Sequence, residues 1–291
     1  MKVFYRIIFM VFILNIPGFI QESGAWTEKV NFENGTVDGA DGFSGFVGSE
    51  VYINTNLNYV QNGAYSVRVH FLAGDRCWDS SLTCGAHQSI ETLGNGEELW
   101  IRAYYYFPPG FNWDSQGSDV WRKILRYMVS GAGNTGLMCI RESSSRCEIM
   151  GSTEASTYYS YNDQKTGQYL EAGNWYCIEN YTKLSTSVEQ TEHKIWINGT
   201  KIFDFGDFRS DDPTLPSPDS VVNTIRFFTY WNDAVSVTQN AYIDNIIITN
   251  ELPAQQDTEG NPMIGPENGL ILPKPLCVRV VVASIEQKSL Q

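Results

Sequence analysis

Short runs of alternating apolar and polar residues dominate this chain, and no stretch keeps apolar residues at the spacing of an amphipathic helix. Side chains of a β-strand alternate between its two faces, so these runs predict strands. The runs are rich in β-branched and aromatic residues and are separated by Gly, Asn, Asp, Ser and Pro. We predict strands at residues 51–53, 65–71, 87–91, 99–107, 120–128, 137–141, 147–150, 175–184, 194–197, 201–205, 224–231 and 241–249.

Many short strands without helices predict an all-β sandwich or barrel over residues 26–252. Asn198-Gly199 predicts a tight hairpin between two of the strands. After Leu252 the chain becomes rich in Pro, Gly and Asn, so residues 253–291 are predicted to be a linker and a short tail, with one possible strand at 278–285.

The first 25 residues have the pattern of a secretory signal peptide. Lys2 and Arg6 precede an apolar run at 7–14, and small residues at 23–25 suit cleavage after Ala25. An uncleaved N-terminal anchor is the alternative. We expect a secreted or periplasmic protein with no membrane contact once the signal is removed, because no later run is long enough to span a bilayer.

The six cysteines favour disulfides in an exported chain. Cys77 and Cys84 bracket a short loop, and Cys139 and Cys147 flank a predicted hairpin symmetrically. We predict these two pairs, while the pairing of Cys177 and Cys277 stays open. None of the cysteines has the spacing of a metal site.

The net charge of −13 argues against a nucleic-acid partner, which would require a basic surface. Between Leu99 and Arg141, however, basic residues outnumber acidic ones. That excess would attract an anionic ligand, although ordinary surface scatter explains it equally well. The basic residues are Arg102, Arg122, Lys123, Arg126 and Arg141, against Asp114 and Asp119.

One face of the 99–107 strand carries Trp100, Arg102, Tyr104 and Tyr106. Aromatic rings stack on sugar rings, and an arginine binds a carboxylate through two parallel hydrogen bonds. The strand therefore predicts a polysaccharide-binding groove. The alternative is that these side chains form a second core layer.

Three other strands carry polar side chains in their interiors. Arg226, Phe228, Tyr230 and Asn232 share one side of their segment, and Trp175, Cys177, Glu179, Tyr181 and Lys183 share one side of theirs. In the 120–128 strand, alternation places Arg122 with Arg126 and Lys123 with Tyr127 on the other side. Periodicity does not decide which side lines a groove.

Six segments between residues 26 and 252 resemble concanavalin A-like jelly-roll polysaccharide lyases, a group that includes heparin, glucuronan and alginate lyases. The segments are 99–110 (LWIRAYYYFPPG), 122–127 (RKILRY), 173–179 (GNWYCIE), 194–199 (KIWING), 229–232 (TYWN) and 242–246 (YIDNI). The resemblance implies a jelly-roll β-sandwich of two antiparallel sheets with a concave cleft. The Arg-Ser-Glu-type and Gln-x-His signatures of the best-known alginate-cleaving branch are absent, as is the Glu-x-Asp-x-x-Glu signature of jelly-roll glucanases.

The resemblance also implies β-elimination on a uronic-acid polysaccharide. A cation neutralises the uronate carboxylate, a base removes the C5 proton, and an acid protonates the leaving oxygen, with no cofactor required for the chemistry. The candidate catalytic residues are His87, Arg102, Tyr104, Lys123, Arg126 and Tyr230. The candidate substrate-binding residues are Trp100, Tyr106, Glu179, Lys183, Arg226 and Asn232.

A second resemblance concerns a structural calcium ion. Jelly-roll carbohydrate-binding modules often pair an early Glu with a late Asp around calcium, and Glu33 and Asp244 occupy such positions. The alternative is a plain turn and a capping carboxylate.

The leading hypothesis is therefore a secreted, monomeric lyase whose partner is an anionic polysaccharide. A non-catalytic lectin-like module is the first alternative, since it needs only the aromatic face. A glycoside hydrolase is the second, with Glu179 as one of the two carboxylates that such an enzyme requires.

Overall fold

The computed structural model describes residues 24–37, 46, 48, 50–77, 85–94, 96–129, 132–151, 164–183, 192–205 and 222–267. No α-helix occurs in these ranges. The short 3₁₀ turns that they contain are not long and apolar enough to cross a membrane. The strands are β1 Thr27–Val30, β2 Val51–Asn54, β3 Ser66–Phe71, β4 Ala86–Leu93, β5 Glu98–Tyr106, β6 Trp121–Val129, β7 Ala132–Ser143, β8 Arg146–Gly151, β9 Gln164–Glu171, β10 Trp175–Lys183, β11 Glu192–Ile197, β12 Thr200–Phe205, β13 Val222–Trp231, β14 Gln239–Thr249, β15 Gln255–Gln256 and β16 Pro262–Met263.

The long strands form two antiparallel sheets that pack face to face. Sheet A has eight strands in the order β12-β11-β10-β5-β14-β3-β2, with β1 also paired to β14. Sheet B has six strands in the order β4-β13-β6-β7-β8-β9. Apolar side chains from the facing sides fill the space between them, among them Ile101 and Tyr105 of β5 and Ile225 and Phe227 of β13. The predicted jelly-roll sandwich is confirmed.

All the predicted strands are present, with ends that differ by a few residues. Asn198 and Gly199 both have positive φ angles, 52° and 81°, as the predicted hairpin between β11 and β12 requires. Strands β1 and β9 were not predicted, because each has too few apolar residues to show alternation. Pairing with β14 and with β8 makes them strands.

The segment after Leu252 is not a free linker over residues 253–267. It forms the small hairpin of β15 and β16 and lies across the outer face of sheet A. Below, residues 253–267 are called the C-terminal segment. The possible strand at 278–285 lies outside the described residues.

One predicted disulfide is confirmed, between Cys139 and Cys147 on neighbouring strands, with a Cα–Cα distance of 5.5 Å. Cys77 is also disulfide-bonded, but Cys84, its predicted partner, lies outside the described residues. Cys177 is a buried free thiol. Cys277 and the predicted signal peptide up to residue 23 are outside the described residues as well.

Candidate functional site

The four side chains predicted to line an open groove are buried. Trp100, Arg102, Tyr104 and Tyr106 do share one face of β5, but their exposed fractions are only 2%, 1%, 0% and 9%. They lie on the outer face of sheet A and not in the core between the sheets, which takes Leu99, Ile101, Ala103 and Tyr105 instead. The groove prediction is therefore wrong for this strand, and the alternative of a second packed layer is correct.

The C-terminal segment covers the part of this face from Trp100 to Tyr104 and is held there by specific hydrogen bonds, while Tyr106 lies against the rings of Tyr59 and Trp175. Backbone N–H groups of Ile264 and Gly265 donate to the Glu179 carboxylate at 2.6 and 2.8 Å. The Glu267 N–H donates to the Tyr104 hydroxyl at 2.7 Å. The Trp196 indole donates to Asp257 at 2.9 Å. Sequence alternation cannot detect this cover, because the covering residues follow β5 by some 150 positions.

These contacts also remove several candidates from a catalytic role. Burial raises the pKa of Glu179 to about 7, a value that would suit a general acid. Both of its oxygens nevertheless accept backbone N–H groups beneath the segment, so its carboxylate is engaged there and does not face an open cleft. Lys183 lies at the end of the same strand, opposite Glu98. Arg102 and Tyr104 are likewise on sheet A, remote from the other catalytic candidates on sheet B.

The remaining catalytic candidates lie together on the outer face of sheet B. Cross-strand pairing sets His87 of β4 opposite Arg226 of β13, and Arg226 opposite Arg126 of β6. Directly opposed residues project to the same face with Cβ atoms about 5 Å apart. Ile225 and Phe227, the chain neighbours of Arg226, point into the core, so this row faces outward. We call His87, Arg226 and Arg126 the cationic row.

The imidazole of His87 is held neutral by its surroundings. Partial burial is the main cause that lowers its pKa below the ordinary value of 6.5, and the positive charge of Arg226 adds to it. A neutral imidazole opposite the Arg226 guanidinium is able to accept a proton at neutral pH.

A second row runs parallel to the first and crosses five strands. Register pairs link Tyr230 to Lys123, Lys123 to Met138, Met138 to Met150 and Met150 to Lys165. Lys123 is 7% exposed and Met150 is 1% exposed. For Tyr230 the structure describes the backbone, opposite Lys123, but not the side chain. We call this set the lysine row.

A β-bulge brings Lys123 and Arg126 to the same face. Strict alternation predicts opposite faces for residues three apart, yet Ile124 and Leu125 both point into the core. The register with β7 shifts between Lys123 and Leu125 and again before Arg126. A bulge adds an unpaired residue and so reverses the side-chain direction beyond it. Arg122, on the core side, donates to the carbonyl of Trp113 at 2.8 and 3.0 Å.

The matching strand β13 is irregular at the same level. Its pairing with β6 shifts between Phe227 and Tyr230, and Phe228 has a φ of 54°. Phe228 therefore packs in the core, whereas alternation predicted it beside Arg226 and Tyr230. Asn232 lies in the turn after β13, and its amide donates to Asp119 at 2.8 Å.

The structure adds Glu148, Tyr169, Lys165 and Met150 to this face, none of which the sequence analysis named. Glu148 is opposite Tyr169, is 5% exposed, and accepts from Lys165 at 3.2 Å and from the Gly167 N–H at 3.1 Å. The signal for them was alternation within CEIM at 147–150, where Cys147 and Ile149 face the core. This alternation alone does not predict the site, because Lys165 and Tyr169 lie on β9, which was not predicted as a strand.

The predicted calcium ligands meet at one loop. Asp244 is fully buried and accepts from the Gln61 N–H at 3.0 Å, and Glu33 accepts from the N–H groups of Ala64 and Tyr65 at 3.0–3.1 Å. Burial is the main cause that raises the pKa of Asp244 to about 7, and the nearby Glu33 charge contributes to that rise. Carboxylate oxygens are ligands that a hard cation such as calcium prefers. Among the described residues no group of three or more His, Cys, Asp or Glu side chains forms a metal site, so amide and backbone oxygens and water would supply the other ligands.

Comparison of the fold with solved structures gives consistent neighbours. The alginate lyase Aly36B matches with a TM-score of 0.53 and 16% identity, over 76% of this chain and 96% of that one. The alginate lyase vAL-1 from a Chlorella virus matches with a TM-score of 0.51 and 14% identity, over 76% and 98%. The endo-β-1,4-glucuronan lyase from the fungus Trichoderma reesei matches with a TM-score of 0.50 and 12% identity, over 77% and 94%.

This chain has the jelly-roll fold of these polysaccharide lyases. No protein-family model and no curated protein sequence matches it. Variants of Aly36B in which a lysine and a methionine, or a lysine and a tyrosine, are replaced by alanine have been solved with an alginate trisaccharide and tetrasaccharide. The identities are low, so the likeness establishes the fold, and the function rests on the rows described above.

Proposed function

We propose that this protein is a polysaccharide lyase that cleaves a uronic-acid-containing polysaccharide by β-elimination on the outer face of sheet B. The observation that carries the proposal is the cationic row, which lines up His87, Arg226 and Arg126 on one face beside Lys123. Such a row attracts an anionic polymer and offers donors to its carboxylates. The shared fold with alginate and glucuronan lyases supports the same reading.

The residue types on this face match the steps of an elimination. Arg126 and Arg226 neutralise the carboxylate of the bound uronate, which acidifies the C5 proton. His87, neutral and opposite Arg226, takes that proton, and the electron pair forms the C4–C5 double bond as the C4–O bond breaks. Tyr230 protonates the leaving oxygen, at the position opposite Lys123. Lysine, methionine and tyrosine, the types replaced in the Aly36B variants, are all present here as Lys123, Met150 and Tyr169.

The direct test is a screen of the purified protein against alginate, glucuronan, pectate, heparin and neutral glucans. We expect one uronate polymer to give ultraviolet-absorbing unsaturated ends in step with new reducing ends. New reducing ends without that absorbance would show that the protein cleaves by hydrolysis and not by elimination. Binding without either product would leave a lectin-like module.

His87→Ala is expected to lower kcat by about 10²–10⁴-fold, since it removes the base, while polymer binding is retained. In the wild type, we expect the acidic limb of the kcat/KM pH profile, which reports the free enzyme, to lie below pH 6.5, because burial and Arg226 lower the pKa of His87. Steady-state kinetics across pH and affinity electrophoresis measure the two effects. The control is His70→Ala on sheet A, where His70 contacts Asn240 at 2.7 Å. An unchanged kcat for His87→Ala would assign the base to another residue.

We also propose export and a structural calcium ion. Export is supported by the leader pattern and by the Cys139–Cys147 disulfide. Glu33 and Asp244 would hold the calcium, which would anchor the 61–65 loop to β14.

Chelation with EDTA is expected to lower the Tm of the wild type by several degrees, and excess CaCl₂ is expected to restore it. Glu33→Gln should make the Tm insensitive to both additions, because it removes one charged ligand. Differential scanning fluorimetry reads the shifts, with Glu142→Gln, an exposed carboxylate, as the matched control. A wild-type Tm that does not respond to EDTA would exclude the calcium site.

A further inference from the structure

An open recess of about 500 Å³ lies between the outer face of sheet A and the C-terminal segment. Its volume falls within the range of small-molecule sites. It is on the opposite sheet from the cationic row. Its floor consists of Thr27, Lys29, Arg102, Ile247 and Thr249, and its walls are residues 251–255 and 263–267.

Arg102 in the floor is a buried cation with unused hydrogen-bond donors. It is 1% exposed, its guanidinium carbon lies 4.9 Å from the centre of the Tyr104 ring, and its buried Nε and Nη1 atoms have no hydrogen-bond partner within the described part of the chain. Its Nη2 makes only a long contact of 3.4 Å to Glu267. The neighbouring Glu179 contributes negative charge, but its oxygens accept the N–H groups of Ile264 and Gly265. Buried donors without acceptors are costly, so this position favours a ligand that brings an acceptor.

Lys29 places a second cation on the same floor. Register pairs link Lys29 to Ile247 and Ile247 to Arg102, which sets the Cα atoms of the two basic residues two strand spacings, or about 10 Å, apart. The Lys29 side chain is exposed and makes no hydrogen bond or ion pair with any part of the chain that the structure describes. A carboxylate between the two residues would therefore be held from both sides.

The other lining groups suit a sugar better than a bare ion. Gln255 supplies an amide, and Glu251 a carboxylate that accepts from sugar hydroxyls. The hydroxyls of Thr27 and Thr249 also line the floor, but they hydrogen-bond each other at 2.7 Å, and Thr249 donates to the Trp26 carbonyl. Ile264 and Pro266 give an apolar wall against which the faces of a sugar ring pack. The volume also exceeds what an inorganic anion fills.

We propose that this recess is a second binding site, for a short acidic oligosaccharide whose carboxylate lies between Arg102 and Lys29. The choice of a uronate sugar rests on the proposed function, whereas the recess and its unpaired arginine do not. A lyase on sheet B would release short uronate oligosaccharides. The recess would bind such a product on the opposite sheet, away from the cationic row.

The test is isothermal titration of the full chain carrying Arg126→Ala, with purified dimers of glucuronate, galacturonate, mannuronate and guluronate, and with sodium sulfate. We expect at least one dimer to bind, and Lys29→Ala added to that background to weaken its binding about tenfold through loss of a charge-assisted hydrogen bond. Arg102→Lys, which keeps charge and most of the bulk, should weaken it to a similar extent. Circular dichroism confirms that each variant is folded.

Equal affinity for Lys29→Ala, Arg102→Lys and their background would overturn the proposal, and so would sulfate binding as tightly as every dimer. The two proposals fail separately. Absence of unsaturated products from every uronate polymer, with Lys29-dependent dimer binding intact, would remove the lyase and leave the recess. Lyase activity without Lys29-dependent dimer binding would support the lyase and exclude the second binding site.

Discussion

Arg126→Ala should lower kcat/KM on the preferred uronate polymer by about 10²–10³-fold, with the fold intact. Arg126 occupies one end of the cationic row, opposite Arg226, on a strand whose neighbouring residues Leu125 and Tyr127 are core. Loss of a donor aimed at developing negative charge costs a rate factor of this size in other enzymes. Because the side chain faces outward and is half-buried, its removal leaves no cavity in the core.

Two further variants make this result specific. Arg126→Lys keeps the charge without the paired donors, so we expect an intermediate rate. Arg141→Ala removes an arginine that pairs with Asp114 at 2.8 Å, outside both rows, and should change kcat/KM by less than about twofold. If Arg126→Ala and Arg141→Ala lose activity equally, general surface charge and not the cationic row attracts the polymer. Initial rates from ultraviolet absorbance, at several ionic strengths, separate the two cases.

Glu179→Ala is expected to destabilise the protein by about 3–5 kcal/mol. The change leaves the N–H groups of Ile264 and Gly265 without their acceptor and leaves Arg102, directly opposite on β5, beside one fewer carboxylate. Removing one partner of a buried charged network has this cost, because the remaining polar groups are stranded away from water. Urea denaturation measures the free energy of unfolding, and limited proteolysis measures release of the C-terminal segment.

The control for this effect is Glu142→Ala, which removes an exposed carboxylate paired with Arg146 and should cost less than about 1 kcal/mol. Glu179→Gln retains one acceptor and should lie between the two. The folded fraction of Glu179→Ala should keep its kcat, since Glu179 is on sheet A. A loss of kcat without loss of stability would instead restore Glu179 as a catalytic carboxylate.

Much of the sheet B site was accessible from sequence. His87, Lys123, Arg126, Arg226 and Tyr230 were all named as candidates, because cations and aromatics within strands are unusual and suit an acidic sugar. The sequence did not predict that these side chains share one face, because the bulge at Ile124 and Leu125 places Lys123 and Arg126 on the same side of β6. Glu148 and Tyr169 were missed because β9 becomes a strand only through its pairing with β8.

Alternation along the chain determined the strands, the two-sheet class and the shared face of Trp100, Arg102, Tyr104 and Tyr106, because side-chain direction in a strand is a local property. Whether that face meets solvent or another layer was decided only in the tertiary structure. From Trp100 to Tyr104 the cover comes from residues 253–267, whose Pro- and Gly-rich composition predicts a linker, and it is held by backbone N–H groups that any sequence possesses. Over Tyr106 it comes from the rings of Tyr59 and Trp175. Local patterns therefore fix which side chains point the same way, while distant chain segments decide what those side chains touch.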